Sequence, residues 1–375
     1  MGLNTVEHEI SLLRSALEQT RGMDRRAFIK ALSGLAAGSV FLPGLVELAQ
    51  AADQKPVTIL GWGGPWKDAI MKAYGDPFAK KSGIPVSYVS PYDYSKVKAM
   101  DQAKQQLVDL VEVSEIDVYR VIDDGIAIPI DFSVVDKSAL DPGQLVFPNG
   151  IGATTVDTIM IYNKQKWPGD SGPKNWADFW DLKRFPGQRA LPRVPYPTLE
   201  FALLADGVAK KDLYPLDIDR AFKKLAEIKD NVTWFETGSE PQQMISNGES
   251  DITSIWTSRA GDSIINQGLP FEYVWEDGGS EGNTEAWFVL RNSPNPKGAM
   301  QFVDFAGRAE AQAAFARIIF SAPLNLKAYD FLDKSIAERL PSYPANASKM
   351  FKINYDYWIK NQDPVTQRFE DWLRT

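Results

Sequence analysis

The chain has 375 residues, 44% of them apolar, with 41 Lys+Arg against 49 Asp+Glu for a formal net charge of −8, no cysteine and one histidine, His8. Disulfides, cysteine nucleophiles, Ser-His-Asp and Cys-His catalysis, and metal centres built on Cys or His are thereby excluded from everything beyond the first fifty residues. An acidic chain with no dense basic run is unsuited to nucleic acid, and this length can bury two separate cores.

The first fifty residues read as an address. Asp24-Arg25-Arg26-Ala27-Phe28-Ile29-Lys30 is a basic head, the 15 residues Ala31–Leu45 carry no charge, and Ala49-Gln50-Ala51 is a small-x-small cleavage site. Adjacent arginines, with Phe two positions and Lys four positions beyond them, look like the twin-arginine (Tat) export signal. Roughly 20 apolar residues are needed to cross a bilayer, and Gly34, Gly38 and Pro43 weaken this stretch further as an anchor. Residues 1–51 are therefore expected to be a signal region cleaved after Ala51, sending the mature chain to the periplasm by the Tat route. Met23 is the expected start of translation.

Beyond it, strands and helices alternate. Val57–Gly61 reads as a short strand running into Trp62-Gly63-Gly64-Pro65. A helical pattern follows from Trp66, with Ile70, Met71, Tyr74 and Phe78 on one face and Ser82-Gly83 at its end. Ile84–Val89 is the next strand, Tyr94–Gln106 a helix, Leu107–Val113 a buried strand and Asp117–Asp124 a short helix stopped by Gly125. Thr154–Tyr162 is a long strand-like run. Asn175 reads as the cap of a short helix with Asp178 three residues on. Gln188–Leu191, Val232–Glu236, Asp251–Trp256 and Phe271–Trp275 read as strands; Thr198–Ala209, Asp217–Asp230, Glu240–Asn247 and Arg259–Gln267 read as helices. A glycine-rich passage, Gly278–Gly282, precedes the strand Glu285–Leu290, Pro296–Phe320 reads as one amphipathic helix, and 341–375 is aromatic and helical.

This order implies an α/β fold of mostly parallel sheets with helices on both faces, whose ligands bind beyond the carboxyl ends of strands. Two such units, one inserted in the other, would place residues 52–153 plus 287–330 in lobe 1 and 154–286 in lobe 2. Residues 331–375 would pack across the body. Two crossings, near 154–162 and 285–290, would then form a hinge with a cleft between the lobes.

Several segments carry a resemblance in a fixed order across residues 57–330. They are Asp109–Gly125 with Ile130-Asp131, Gly152–Asn163, Asn175-Trp176-Ala177-Asp178-Phe179-Trp180-Asp181 with Gly187, Gly248-Glu249-Ser250-Asp251 with Trp256, Val274-Trp275 with Gly278-Gly279, and Pro323-Leu324-Asn325. Together they resemble the periplasmic substrate-binding proteins of ABC importers, in particular the polyamine (spermidine/putrescine) branch. The resemblance implies a two-lobed, non-catalytic receptor that closes on a small-molecule solute and docks on a membrane permease. It is expected to act as a monomer, without cofactor, metal or nucleic acid.

Carried onto this chain, the family's binding positions fall on Trp62 and Trp66 after the first strand and on Ser114 and Glu115 after the third. They also fall on Trp256 as an aromatic wall and on Glu285 at the return crossing. The departure is at Pro192-Arg193-Val194-Pro195, where polyamine binders place carboxylates. A guanidinium repels a polycation, and Arg259, three residues past Trp256, adds a second. The expected solute is therefore polyamine-like in size but carries a carboxylate or phosphonate, which arginine binds with its planar fork. Three alternatives fit less well: a genuine spermidine or putrescine receptor; a periplasmic hydrolase using Asp123/Asp124 or Asp277/Glu281; and an iron carrier using Tyr92 and Tyr94. Trp167, Trp176 and Trp180 read as structural.

N-terminal sequencing checks the address: the precursor should begin at Met23 and the exported protein at Ala52. An exported chain that keeps residues 31–45 would mean an anchor instead.

Overall fold

Residues 55–114, 116–139 and 146–375 are described by a computed structural model; the signal region 1–51 and the candidate Glu115 lie outside the described residues. Three short strands, β1 (Val57–Leu60), β2 (Val86–Val89) and β3 (Leu110–Ser114), pair in parallel in the order β2-β1-β3. Their connections are helical, as parallel pairing requires. After β1, α1 (Pro65–Ile70) passes through a π turn, Met71–Gly75, into α2 (Asp76–Ser82), which ends on Gly83 at φ 75°. After β2 comes α3 (Tyr94–Gln102), capped by the Asp93 side chain, and after β3 comes α4 (Ile116–Asp123).

A second parallel set repeats the scheme. Strands β6 (Arg189–Pro192), β7 (Val232–Phe235) and β8 (Ile252–Trp256) pair in the order β8-β6-β7. Around them lie α5 (Trp176–Trp180), α6 (Pro195–Ala205), α7 (Ile218–Ala226), α8 (Ser239–Ser246) and α9 (Thr257–Gly261). Asn175 caps α5 as expected, accepting from the backbone N–H of Asp178. Between the two sets run β5 (Gly150–Asn163) and β9 (Phe271–Val289), of 14 and 19 residues, antiparallel to each other along their length. The full order is β2-β1-β3-β9-β5-β8-β6-β7, with β4 (Val146–Phe147) and β10 (Ala322–Pro323) on β5 and β11 (Phe351–Lys352) on β9.

Alternation along the long strands divides the core into faces. Ile159 and Ile161 of β5 join Ile255, Ile245 and Ala260 beneath α8 and α9. Met160 and Tyr162, between them, join Trp176, Phe179, Phe201 and Leu225 beneath α5, α6 and α7. On β9, Trp287 and Val289 face the cluster of α1, α2, α10 (Pro296–Ala306) and α11 (Ala309–Ile319), while Ala286 and Phe288 face that of α3 and α4. Each half is thus a sheet between two helical layers. Trp176 stacks on Phe201 with centroids 3.7 Å apart, and Trp180 donates its Nε1–H to the Lys224 carbonyl, which places both indoles in the core.

Two expectations give way. Gly278–Gly282 does not break the strand, because β5 and β11 hold its backbone from both sides: Ser280 is opposite Thr158 and Phe351. The single helix over 296–320 is two, because Arg308 is extended, at ψ 145°, and its guanidinium turns back to the Asp304 carboxylate.

The last helix, α12 (Tyr355–Arg374), docks on the second half through a buried acid. Glu200 accepts from Tyr214 Oη at 2.6 Å and from Trp358 Nε1 at 2.8 Å, and burial pushes its carboxyl up to about 7 despite both bonds. A carboxyl raised on folding holds its proton longer in the native state, so its contribution is present below the unfolded value and is lost as pH rises towards 7. Relative to Glu200→Gln, the wild type should lose up to about 3 kcal/mol of stability between pH 4.5 and pH 7.5, read by urea unfolding. Parallel pH profiles for the two proteins would show that Glu200 titrates as it does in the unfolded chain.

Candidate functional site

The carboxyl ends of β1, β3 and their antiparallel neighbour β9 bring three expected residues together. Antiparallel register sets Ser114 of β3 opposite Glu285 of β9, and Glu285 opposite Thr154 of β5, so one row of side chains crosses three strands. Trp62 reaches that row from the loop after β1: its Nε1–H donates to Glu285 Oε2 at 2.9 Å, and its ring meets Tyr92 edge-on at 5.1 Å. Glu285 is 6% exposed. Ahead of Trp62, a side chain at Gly61 would run into the Tyr88 hydroxyl and the Glu112 carboxylate, so the loop can approach this closely only with glycine.

Trp66, one helical turn on, faces a different acid. Its Nε1–H donates to Glu112 Oε2 at 2.9 Å, which also accepts from Tyr88 Oη at 3.3 Å, and its ring packs edge-on to Phe315. Glu112 is fully buried, and the loss of solvent raises its carboxyl against those two hydrogen bonds. Glu112 and Tyr88 are not among the residues the sequence singles out, and Tyr92 is named there only as an iron-ligand alternative. The signal for Glu112 was there: one acid inside the otherwise apolar run Leu110-Val111-Glu112-Val113.

In the second half the parallel strands end together. Arg189 is in register with both Ile252 and Val232, so Trp256, the last residue of β8, stands level with Arg193 and Glu236, which follow β6 and β7. Trp256 is 39% exposed, and its ring covers Gly238, where a Cβ would lie inside the ring's van der Waals envelope. The Arg193 guanidinium bridges two acids, Glu236 Oε1 and Glu370 Oε2, each at 2.9 Å. Arg259 is bound differently. Its Nη1 donates to the neutral Gln242 Oε1 at 3.3 Å, and it makes no ion pair with another described residue.

The chemistry of the rival groups is plain. Asp124 accepts from Tyr94 Oη and pairs with Lys98 at 2.8 Å, and those hydrogen bonds hold it below the usual carboxylate range, the wrong direction for a general acid. The side chains of Asp277 and Glu281 lie outside the described residues. The Tyr92 phenol donates to Asp117 at 3.0 Å, and burial raises both Tyr92 and Tyr94 above the usual phenol value, which disfavours phenolate ligation. Among the described residues no group of three or more His, Asp or Glu side chains is placed to hold a metal ion, and no helix is long and apolar enough to cross a membrane.

Comparison with known proteins accords with this architecture. Residues 73–347 match the family model described as bacterial extracellular solute-binding protein. A gamma-aminobutyric acid-binding protein of Pseudomonas aeruginosa is 32% identical over 346 residues, covering 89% of this chain and 95% of its own. Among solved structures, a GABA receptor superposes with a TM-score of 0.75 at 32% identity, covering 85% of this chain and 97% of that one. The binding protein AgtB of A. tumefaciens R10, solved in complex with agropinic acid, superposes with a TM-score of 0.71 at 35% identity over 86% of this chain and 99% of that one.

Gly238 has an ordinary helical φ of −65°, so Gly238→Ala tests the Trp256 ring without backbone strain. The exposed ring can swing aside, so unfolding should change by less than about 1 kcal/mol, while tryptophan emission shifts as the indole moves into water. An unaltered emission spectrum would mean that the ring does not depend on the space above Gly238.

Proposed function

Since the chain belongs to the bacterial extracellular solute-binding protein family, we propose that it is the periplasmic receptor that hands a small amino-carboxylate, of the size of gamma-aminobutyric acid, to the membrane permease of an ABC importer. Its relatives are solute-binding proteins and not enzymes. The observation that carries the reading is a division of chemistry between the two strand-end rows. One holds an acid, Glu285, bonded to the Trp62 indole; the other holds an arginine, Arg259, one turn past Trp256, whose hydrogen bond among the described residues is to an amide and whose charge acts on Asp262 without an ion pair. A zwitterion matches both. A polyamine matches the first row alone, which is the observation that keeps spermidine and putrescine as the second reading.

In this proposal Glu285 and Ser114 meet the ammonium end, Trp62 and Trp256 cover the carbon chain, and Arg259 takes the carboxylate through two N–H donors. Trp66 supports the Trp62 loop from its bond to Glu112. The lobes are residues 52–153 plus 287–330 and residues 154–286, moving about β5 and β9, with 331–375 docked against them. Contacts made to both lobes only in the closed form bias the equilibrium towards closure, and closure presents both lobes to the permease. The receptor works as a monomer, exported by the Tat route.

Titration calorimetry with 4-aminobutyrate, putrescine, spermidine and butyrate tests the reading. The expected result is binding of 4-aminobutyrate, with Arg259→Ala weakening it by about 10- to 100-fold, the range for a charge-assisted hydrogen bond. At 100 times its dissociation constant the solute should also add about 2.7 kcal/mol to unfolding. Binding of putrescine or spermidine alone would establish the polyamine reading in its place.

A further inference from the structure

The C-terminal helix brings a carboxylate into the row of strand ends. Arg193, which follows β6, has its two terminal nitrogens taken by different acids: Nη1 by Glu236, at the adjacent strand end, and Nη2 by Glu370 of α12, 177 residues away in sequence. Glu370 is held there by the docking of its helix. Phe369 beside it is fully buried, the rings of Phe369 and Trp372 pack on Phe222 and Trp234, and Trp358 is tied to Glu200. The side chain is half-buried and leaves the guanidinium only at the expense of that packing. The hydrogen bond that Arg193 donates to Glu370 is also the largest of the influences that raise the guanidinium above its usual value.

Arg193, Glu236 and Glu370 together carry a net charge of −1. A further anionic group brought to the Arg193 fork meets two like charges, an arrangement that rejects anions through repulsion. Arg259, three residues past the level partner of Arg193, has only Gln242 as its hydrogen-bond acceptor among the described residues. We infer that Glu370 is a specificity-determining residue: by sharing the Arg193 fork with Glu236 it withholds that cation from the solute, so the receptor favours a singly charged carboxylate head over a doubly charged phosphonate of the same length. The inference rests on the reading of Arg259 as the partner of the solute's anionic end.

The test uses two probes with the same three-methylene chain, 4-aminobutyrate and 3-aminopropylphosphonate, titrated calorimetrically at pH 8 into the full mature protein. Glu370→Gln should improve the phosphonate by about two- to five-fold relative to 4-aminobutyrate, the scale of a partly exposed ion pair. Adding Arg193→Ala to Glu370→Gln should abolish the gain. A ratio of affinities unchanged in Glu370→Gln, or a gain that survives the loss of Arg193, overturns the inference. Arg259→Ala separates this failure from failure of the underlying reading. If Arg259→Ala weakens 4-aminobutyrate while Glu370→Gln leaves the ratio untouched, only the role of Glu370 is lost. If Arg259→Ala binds 4-aminobutyrate unchanged, or the wild type binds neither probe, both are lost. Thermal melts of each variant confirm that α12 remains docked, and Glu236→Gln, which frees the other tine without touching that helix, should shift the ratio in the same direction.

Discussion

Every strand of the two parallel sets reaches the rest of the fold through β5 or β9. Each set is only three short strands deep, and each closes on one long antiparallel strand, so the mutual pairing of β5 and β9 carries the whole sheet from β2 to β7. The pairing is irregular in the middle, with register shifts between Gly152 and Thr154, Val156 and Thr158, and Ile159 and Met160. Irregular pairing bends and twists a strand where it occurs. The first two shifts fall on or near the stretch between Ala153, in the core of the first half, and Ile159, in that of the second. The same geometry puts Ser114, Glu285 and Thr154 in one row.

Three buried glutamates of this protein are met by indoles. Trp62 donates to Glu285, Trp66 to Glu112 and Trp358 to Glu200, each at 2.8–2.9 Å. An indole N–H satisfies one acceptor without neutralising the charge, so the acid is positioned but not cancelled. For Glu200, burial then outweighs the hydrogen bonds and raises the carboxyl to about 7; for Glu112 the direction is the same. Glu200 and Glu112 are stable inside because they can hold a proton.

The cations are handled in the opposite way. Arg189 is fully buried and spends its donors on the carbonyls of Phe179, Phe185 and Gly187, closing the end of α5 and the turn after it. Arg193 is shared by two glutamates, and Arg259 is bonded to an amide. Three arginines in one half therefore have three different electrostatic situations, although each stands at or just beyond a strand end. Only Arg259 combines partial burial with the absence of an ion-paired acid among the described residues, and that combination gives it its place in the proposed site.

The sequence by itself determined the alternation of strand and helix, the long strand near Thr154–Tyr162, the caps at Asn175 and Gly83, and the solute-binding family, because hydrophobic period, turn residues and ordered motifs are local properties of the chain. It also pointed to Trp62 and Glu285 separately. Tertiary structure alone decided that these two touch, since their 223-residue separation is closed only by the register of β3, β9 and β5. It also decided that the glycine passage before Glu285 is strand and that 296–320 is two helices, outcomes set by neighbouring backbone and by the Arg308–Asp304 pair. Above all it separated Arg193 from Arg259. In one dimension they are two equivalent cations near strand ends; the acid that distinguishes them, Glu370, arrives on a helix from the far end of the chain, and no local pattern records where that helix docks.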